Sequence, residues 1–203
     1  CAIDETAPLL LAQVVAAAEA RVSFFQLREP DLSGAALASL ARHLIAAAEG
    51  RVRIVVNDRA DVAAAVGADL HLKQASIDAR RLRSWMPAGT WMTCAAHTVD
   101  DVLAAGPVDA VIAGTAAPSA SKAPGSPTLG PAGLAALVAR SPVPVFAIGG
   151  LGPADWPWVA GSGAYGVAAI GAFLPQPGES AGAAVRRAVA EFAGEIDCRG
   201  GRS

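Results

Sequence analysis

The sequence predicts an α/β protein, a single-domain (β/α)8 barrel, and three observations lead to that prediction. Short apolar runs alternate with alanine-rich helical segments along the whole chain, as parallel strands and their crossover helices do. With 203 residues, of which 53% are hydrophobic, the chain is long enough to bury one sizeable core. The clearest apolar run, Val143–Ile148, is followed by Gly149 and Gly150, which is typical of a buried parallel strand whose carboxyl end opens onto a ligand.

The amino-terminal half of the chain supplies four predicted pairs of a strand and a helix. Pro8 suits the first turn of a helix, and Gly50 suits the end of one. In chain order the pairs are Cys1–Ile3 with Pro8–Ala20, Val22–Leu27 with Ser33–Glu49, Val52–Asn57 with Ala60–Val66, and Leu70–Leu72 with Ile77–Trp85. The first strand is expected to be truncated at the amino terminus, and the start at Cys1 leaves open what precedes it.

The carboxyl-terminal half continues the same pattern. In chain order the pairs are Thr90–Ala95 with Val99–Ala105, Ala110–Ala113 with Pro131–Arg140, Val143–Ile148 with Pro153–Ala160, and Gly166–Ile170 with Ser180–Ala193. Residues 115–128, rich in Ser, Pro, Ala and Gly, predict a mobile loop rather than a linker between domains, because both flanks keep the βα pattern. Eight such pairs favour a TIM barrel over an open doubly wound sheet.

Composition and charge exclude several classes of partner. The net charge of −2 is spread along the chain without a basic stripe, which argues against nucleic acid. Apolar runs stay short of the roughly 20 residues of a membrane span, which argues against a membrane protein. The three cysteines are far apart and away from any histidine cluster, so neither a disulfide framework nor a zinc site is predicted, and a cytoplasmic location is expected.

Polar residues gather just past the predicted strands, where a barrel carries its site. Cationic, hydroxyl and amide side chains among them suit an anionic phosphate or pyrophosphate, and Asp58 suits a divalent cation such as Mg²⁺ that shields that charge. The candidates in strand order are Gln26 and Arg28, Asn57 and Asp58, His71 and Gln74, His97 and Thr98, then Ser119, Ser121 and Lys122, and finally Gly149 and Gly150.

Each candidate also has a purely structural explanation. Arg28 would pair with Asp58 or Asp61, His97 would cap the following helix, and Lys122 would be solvated. The glycine pair would form a tight turn, although its backbone N–H groups would also allow close approach of a phosphate. The placement of all these residues on one rim favours a binding site.

Six motifs cover nearly the whole chain in a recognisable order. They are QLRE at Gln26–Glu29, VNDRADVAAAVGADLHL at Val56–Leu72, AAHT at Ala95–Thr98, GTAAPSASK at Gly114–Lys122, FAIGGL at Phe146–Leu151 and GAYGVAAIGAF at Gly163–Phe173. Together they resemble the thiamine phosphate synthase family. The superfamily also contains the TenI-type thiazole tautomerases, which share the barrel.

The resemblance implies a transferase of thiamine biosynthesis, in which an aminopyrimidine pyrophosphate loses pyrophosphate and the nitrogen of a thiazole phosphate captures the resulting cation. The protein would stabilise the departing charge, orient two rings and exclude water. Carried over by motif, Arg28 and Lys122 would be catalytic, Asp58 would bind Mg²⁺, and Gly150 beside Gly149 would receive the thiazole phosphate. The residues expected to contact the pyrimidine pyrophosphate are Gln26, Arg28, Asn57, Ser119, Ser121 and Lys122.

Four positions depart from the family pattern and leave the expected active site incomplete. Pro30 stands where a pyrophosphate-binding lysine is usual, and Ala95 stands where a serine is usual. Ser76 replaces a second carboxylate for Mg²⁺, and Lys73 replaces a glycine. Because magnesium is held by few carboxylates, losing one weakens the site. We therefore hypothesise that the Lys73 ammonium substitutes for the missing metal charge, which full activity of Lys73→Ala would overturn.

Two alternatives stay open beside the synthase. A TenI-type tautomerase or salvage relative would carry a histidine after the glycine that ends the sixth strand, where this chain has Thr115. The other alternative is a barrel that binds a thiamine-related phosphate without turning it over. Trp156 and Trp158 are interpreted as packing residues that, if exposed, would mark a subunit contact in a homo-oligomer.

Overall fold

The computed structural model describes the backbone of residues 2–119 and 122–200. Contacts within the chain group into two compact units. The first unit runs to Met92 and includes Leu174–Val189, and the second comprises Thr93–Phe173 with the chain from Ala190 onward. Both flanks of the loop at residues 115–128 lie in the second unit, so this loop does not link the two units.

The first unit contains three parallel strands that pair in chain order. The register places Gln26 beside Val55 and Asn57 beside His71, so neighbouring strands end close together. The strands are β1 (Phe24–Leu27), β2 (Arg53–Asn57) and β3 (Asp69–Leu72), and the helices are α1 (Ala2–Glu19), α2 (Gly34–Ala48), α3 (Ala60–Val66) and α4 (Ala79–Arg83).

Helix α2 shows how the sequence fixes the ends of an element. The hydroxyl of Ser33 accepts a hydrogen bond from the backbone N–H of Ala36 at 3.3 Å, which caps the first turn. Glu49 and Gly50 adopt left-handed conformations with φ of 50° and 71°, which ends the helix. Leu40 and Leu44 are buried on its inner face. The helix predicted at residues 33–49 is therefore confirmed.

The amino terminus differs from the prediction. Ala2 and Ile3 belong to α1, so the strand predicted at Cys1–Ile3 is wrong for these two residues, while Cys1 itself lies outside the described residues. Pro8 lies inside the helix rather than in its first turn. The segment is rich in alanine and leucine, which favour a helix, and an apolar stub of three residues is too short to identify a strand.

An ion pair joins the amino-terminal ends of β2 and β3. Arg53 donates hydrogen bonds of 2.5 and 2.7 Å to the two carboxylate oxygens of Asp69, whose side chain is only 8% exposed. The backbone N–H of Trp91 donates a third bond to Asp69 at 2.8 Å. The indole of Trp91 stacks on Phe24 with ring centroids 4.2 Å apart. At this end of the unit the Asp69 carboxylate is therefore buried and satisfied, while the Arg53 side chain remains half exposed.

The second unit contains four parallel strands, again paired in chain order. The strands are β4 (Met92–Ala96), β5 (Ala110–Ala113), β6 (Val145–Ile148) and β7 (Gly166–Ala168). The α-helices of this part of the chain are α5 (Val99–Ala104), α6 (Gly130–Arg140), α7 (Trp156–Gly161) and α8 (Ala181–Gly200), with 3₁₀ turns at Pro153–Asp155 and Gly171–Phe173. The predicted strands and helices of this half are confirmed, with most ends within two residues.

The described residues thus form an α/β fold with seven parallel strands, and a complete eight-stranded barrel is not among them. Most strand residues are apolar, and Val56, Leu70, Val111 and Ala147 are fully buried. None of the helices in the described ranges combines the length and the hydropathy needed to cross a membrane.

Candidate functional site

Two amides meet where β1 and β2 end in the first unit. Gln26 is next to last in β1, and Asn57 is the last residue of β2. The side-chain NH₂ of Gln26 donates to the side-chain carbonyl of Asn57 at 3.1 Å. Sequence reasoning placed both residues in the site, and the structure brings them together. Gln26 is exposed and Asn57 is half-buried, so the pair presents an amide edge at the surface of the unit.

Asp58 occupies an unusual backbone conformation just past β2. Its φ of 58° lies in the left-handed region, which Asp tolerates better than most residues. Its backbone N–H donates to the carbonyl of His71 at 2.8 Å, which extends the pairing with β3 by one residue. A non-glycine residue held in this region at the end of a strand is a recurrent feature of functional sites.

The carboxylate of Asp58 contacts two side chains that follow β3. One oxygen lies 2.6 Å from the ammonium nitrogen of Lys73. The other accepts a short hydrogen bond from the hydroxyl of Ser76, which in turn accepts a bond from the backbone N–H of Lys73 at 2.8 Å. Both carboxylate oxygens are therefore engaged. We call these three residues the Lys73 cluster.

The electrostatics of this region follow from burial and from these contacts. Burial alone would raise the pKa of Asp58, but hydrogen bonds from Lys73 and Ser76 and the charge of Lys73 lower it overall. Burial lowers the pKa of His71 to about 4, although the charge of Asp58 acts to raise it, and the charge of Arg28 adds a smaller lowering effect. Asp58 is therefore ionised and His71 neutral near pH 7.

Arg28 is exposed past the end of β1, and its charge acts on His71. The alternative in which Arg28 pairs with Asp58 or Asp61 is not what the structure shows. Asp58 forms an ion pair with Lys73, and the carboxylate of Asp61 accepts hydrogen bonds of 2.6 and 2.9 Å from Arg59.

A cleft of about 450 Å³ opens beside the Lys73 cluster. Ile77 and Trp85 line it and remain 62% and 57% exposed, which is high for residues of this size. The full lining is Asp58, Ala60, Asp61, Leu72, Ser76, Ile77, Leu82 and Trp85. A mainly apolar cleft with a few polar groups at one end has the composition of a small-molecule site. Trp85 lies two residues past the end of α4 and was not among the site residues predicted from the sequence.

The end of β6 in the second unit is built from backbone rather than from side chains. The chain after β5 runs along it, with the N–H groups of Ala116 and Ala117 donating to Ile148 and Gly149 at 2.8 and 2.9 Å. A Cβ added at Gly150 would lie 2.2 Å from the carbonyl oxygen of Pro118. Both Gly149 and Gly150 also have positive φ. Glycine is therefore required here by close backbone packing as well as by the turn.

The remaining candidates of the second unit lie near the start of the loop at residues 115–128. Thr98 caps α5 through the backbone N–H of Asp101, and the ring nitrogen of His97 contacts the carbonyl of Gly114. The backbone N–H of Lys122 donates to the carbonyl of Ser119 at 3.0 Å, and the Lys122 side chain is exposed. Ser121 lies outside the described residues.

The described residues do not fit a magnesium ion held by protein carboxylates. Both oxygens of Asp58 are engaged, Asp61 is paired with Arg59, and Asp78 caps α4 by accepting a bond from the backbone of Arg80 at 2.7 Å. Within the part of the chain that the structure describes, no group of three or more His, Cys, Asp or Glu residues is arranged to hold a metal. A carboxylate beside Asp58 is what Mg²⁺ would need, and Ser76 is there instead.

The fold and these strand ends place the chain among the α/β proteins that carry polar residues at the carboxyl ends of parallel strands. The family model described as thiamine monophosphate synthase matches residues 2–173, and the chain belongs to this family.

Two curated relatives are named thiamine-phosphate synthase. The one from Azorhizobium caulinodans is 34% identical over 172 residues, covering 83% of this chain and 81% of the relative. The one from Geobacillus kaustophilus is 36% identical over 172 residues, covering 80% and 77%. Among solved structures, thiamine phosphate pyrophosphorylase from Pyrococcus furiosus superposes with a TM-score of 0.76 at 23% identity, covering 92% of this chain and 89% of that one. The structural likeness shows a shared fold.

Proposed function

We propose that this protein is a thiamine phosphate synthase. The C–O bond between the methylene of an aminopyrimidine pyrophosphate and its pyrophosphate breaks, and the electron pair leaves with pyrophosphate. The lone pair of the thiazole phosphate nitrogen then forms the new C–N bond, which gives thiamine phosphate. No group on the protein needs to become covalently modified, so the residues act by binding, orienting and excluding water.

The observation that carries this proposal is the meeting of three predicted site residues at neighbouring strand ends of one unit. The side chains of Gln26 and Asn57 are hydrogen-bonded to each other, and Asp58 directly follows Asn57 in the sequence. The amides offer donors and acceptors for the edge of the pyrimidine, and the nearby cleft of about 450 Å³ has room for a small ring. The exposed guanidinium of Arg28 and the Lys73 ammonium supply the positive charge that a departing pyrophosphate needs.

The second unit contributes to the same proposal by its own features. Gly149 and Gly150 turn the chain at the end of β6 without side chains, and backbone N–H groups at such a turn suit the thiazole phosphate. Ser119 and Lys122 are proposed to contact the pyrophosphate, with Lys122 supplying charge. Ser121 keeps the role that the family pattern implies.

The direct test is formation of thiamine phosphate from purified protein, the two phosphorylated substrates and magnesium chloride, detected as the fluorescent oxidation product. We expect product from the wild-type chain and a loss of at least about tenfold in kcat/KM for Arg28→Ala and for Lys122→Ala. Arg81→Ala on α4, an exposed position outside the candidate site, is the matched control and should keep full activity.

Three other outcomes would contradict the proposal. Isomerisation of the carboxythiazole phosphate without coupling would indicate a tautomerase. Binding of both substrates without any product would indicate a barrel that only binds. Equal activity of all three variants would contradict the catalytic roles proposed for Arg28 and Lys122. The closed eight-stranded barrel, the homo-oligomer and the cytoplasmic location accompany this proposal as predictions.

A further inference from the structure

We infer that the Lys73 cluster binds the pyrophosphate group of the substrate through the Lys73 ammonium, which Asp58 holds in place. In this arrangement no magnesium ion is coordinated by protein carboxylates. The inference takes its ligand, the pyrophosphate group, from the proposed function. It goes beyond that function by naming the group that compensates the negative charge of the ligand. It concerns the first unit alone, where all three residues lie.

Geometry places the ammonium where a ligand can reach it. Lys73 directly follows β3 and Asp58 directly follows β2, so the pair stands at the carboxyl ends of two adjacent parallel strands. The side chain of Lys73 is 52% exposed and that of Asp58 is 28% exposed. An ammonium has three donors, and the contact of 2.6 Å to Asp58 uses one of them. The other donors can face a phosphate oxygen.

Ser76 fixes the cluster. Its hydroxyl donates to Asp58 and accepts from the backbone N–H of Lys73 at 2.8 Å, so it ties the end of β2 to the turn after β3. A carboxylate at this position would face Asp58 and repel it unless a cation lay between them. With serine, the oxygen of Asp58 nearest to residue 76 is satisfied by a hydrogen bond, and no cation is required.

The charge balance is the same with and without the metal. In the family pattern that the sequence resembles, two carboxylates would hold one divalent cation, which sums to zero. Here one carboxylate holds one ammonium, which also sums to zero. The Lys73 side chain is 52% exposed, so a substrate anion can complete the surroundings of its ammonium. Any magnesium that arrives would therefore be bound by the substrate's phosphates rather than by this cluster.

The experiment is calorimetric titration of inorganic pyrophosphate into the whole chain, once in EDTA and once with magnesium chloride. We expect the wild-type protein to bind pyrophosphate in EDTA and Lys73→Met to weaken that binding by about tenfold or more. Arg81→Met, which removes one positive charge from the exposed side of α4, is the matched control and should stay within about twofold.

A double variant tests the idea in the opposite direction. Lys73→Gly with Ser76→Asp restores the residues of the family pattern at both positions, and we expect it to bind pyrophosphate only when magnesium is present. Circular dichroism confirms that each variant is folded before titration.

Two results would overturn the inference and leave the proposed function standing: wild-type binding that requires magnesium, or Lys73→Met binding as tightly as wild type in EDTA. Absence of pyrophosphate binding in both buffers would contradict the inference and the proposed function together. Because the titration needs no turnover, its result is independent of the thiamine phosphate assay.

Discussion

The two ends of the strand pair β2 and β3 carry ion pairs of very different character. At one end, Asp69 is buried to 8% exposure and receives two bonds from Arg53 and one from the backbone of Trp91. At the other end, Asp58 and Lys73 are 28% and 52% exposed and share their contacts with one serine hydroxyl. Both pairs join the same two strands, and their cations are similarly exposed, Arg53 at 50% and Lys73 at 52%. The pairs differ in the burial of the carboxylate, and only the second pair lies at the carboxyl ends of the strands.

This difference separates stability from function within one unit. A buried carboxylate that accepts three hydrogen bonds is costly to remove, because all three donors lose their partner at once. A half-exposed pair contributes little to folding, because water competes for both charges. We therefore expect the end with Asp69 to stabilise the fold of the unit. We expect the end with Lys73 to bind a ligand and to contribute little to stability.

The largest expected effect is at the pair with the buried carboxylate. Asp69→Ala leaves the guanidinium of Arg53 and the N–H of Trp91 without their carboxylate, and we expect the free energy of unfolding to fall by about 3 kcal/mol. Urea denaturation measures this loss. Asp61→Ala, which removes an exposed carboxylate paired with Arg59, is the control and should change stability by less than about 1 kcal/mol. Equal losses of unfolding free energy in the two variants would show that the ion pair of Asp69 is no more stabilising than the exposed pair of Asp61.

Backbone packing gives the next effect and extends the comparison to the second unit. Gly150→Ala forces a Cβ to within 2.2 Å of the carbonyl of Pro118, so we expect a loss of about 2 kcal/mol beyond that of Gly50→Ala. Gly50 has a similar φ of 71° but open space around it, so it isolates the conformational cost. Similar unfolding free energies for the two variants would show that the chain after β5 does not press on Gly150.

Acid should weaken the fold through the histidine that lies between the two pairs on β3. The pKa of His71 is lowered to about 4 in the folded protein, against about 6.5 when unfolded, so the unfolded chain binds the proton more readily. Stability is therefore fully present above pH 6.5 and is lost as the pH falls toward 4, by roughly 1 kcal/mol between pH 7 and 5.5. Urea denaturation across this range should show a shallower slope for His71→Gln. An identical slope would contradict the assignment.

The smallest expected effect on stability is at the exposed pair. Lys73→Met removes a contact of 2.6 Å between half-exposed groups, so the free energy of unfolding should change by no more than about 0.5 kcal/mol. The same urea titration checks it. A loss as large as that of Asp69→Ala would mean that both ends of the strand pair serve stability.

Sequence patterns located most of the fold because local signals and tertiary contacts agree there. Helix α3 runs from Ala60 to Val66 as predicted, since an apolar helical stretch is ended by Gly67. The predicted start of the chain failed at Ile3, where three residues give no periodicity to separate a strand from a helix. A short strand such as Ala110–Ala113 was still located correctly, because predicted segments on both sides of it continue the alternation of strands and helices.

The candidate site was only partly predictable. Gln26, Asn57 and Asp58 were found because residues that follow parallel strands share an edge, which is a property of topology. The partner of Asp58 was not determined by sequence, because Arg28 and Lys73 both offer a positive charge just past a strand. The close approach of Pro118 to Gly150 had no local signal at all, since it depends on how two segments 32 residues apart in sequence pack.

The central claim is tested most directly by the pyrophosphate affinity of two variants, Lys73→Met and Asp69→Ala, measured by calorimetry in EDTA at a temperature where both are folded. The account predicts that Lys73→Met loses about tenfold or more in affinity while Asp69→Ala stays within about twofold of wild type. Wild-type affinity in Lys73→Met, or an equal loss in both variants, would contradict the division of the two ion pairs between binding and stability.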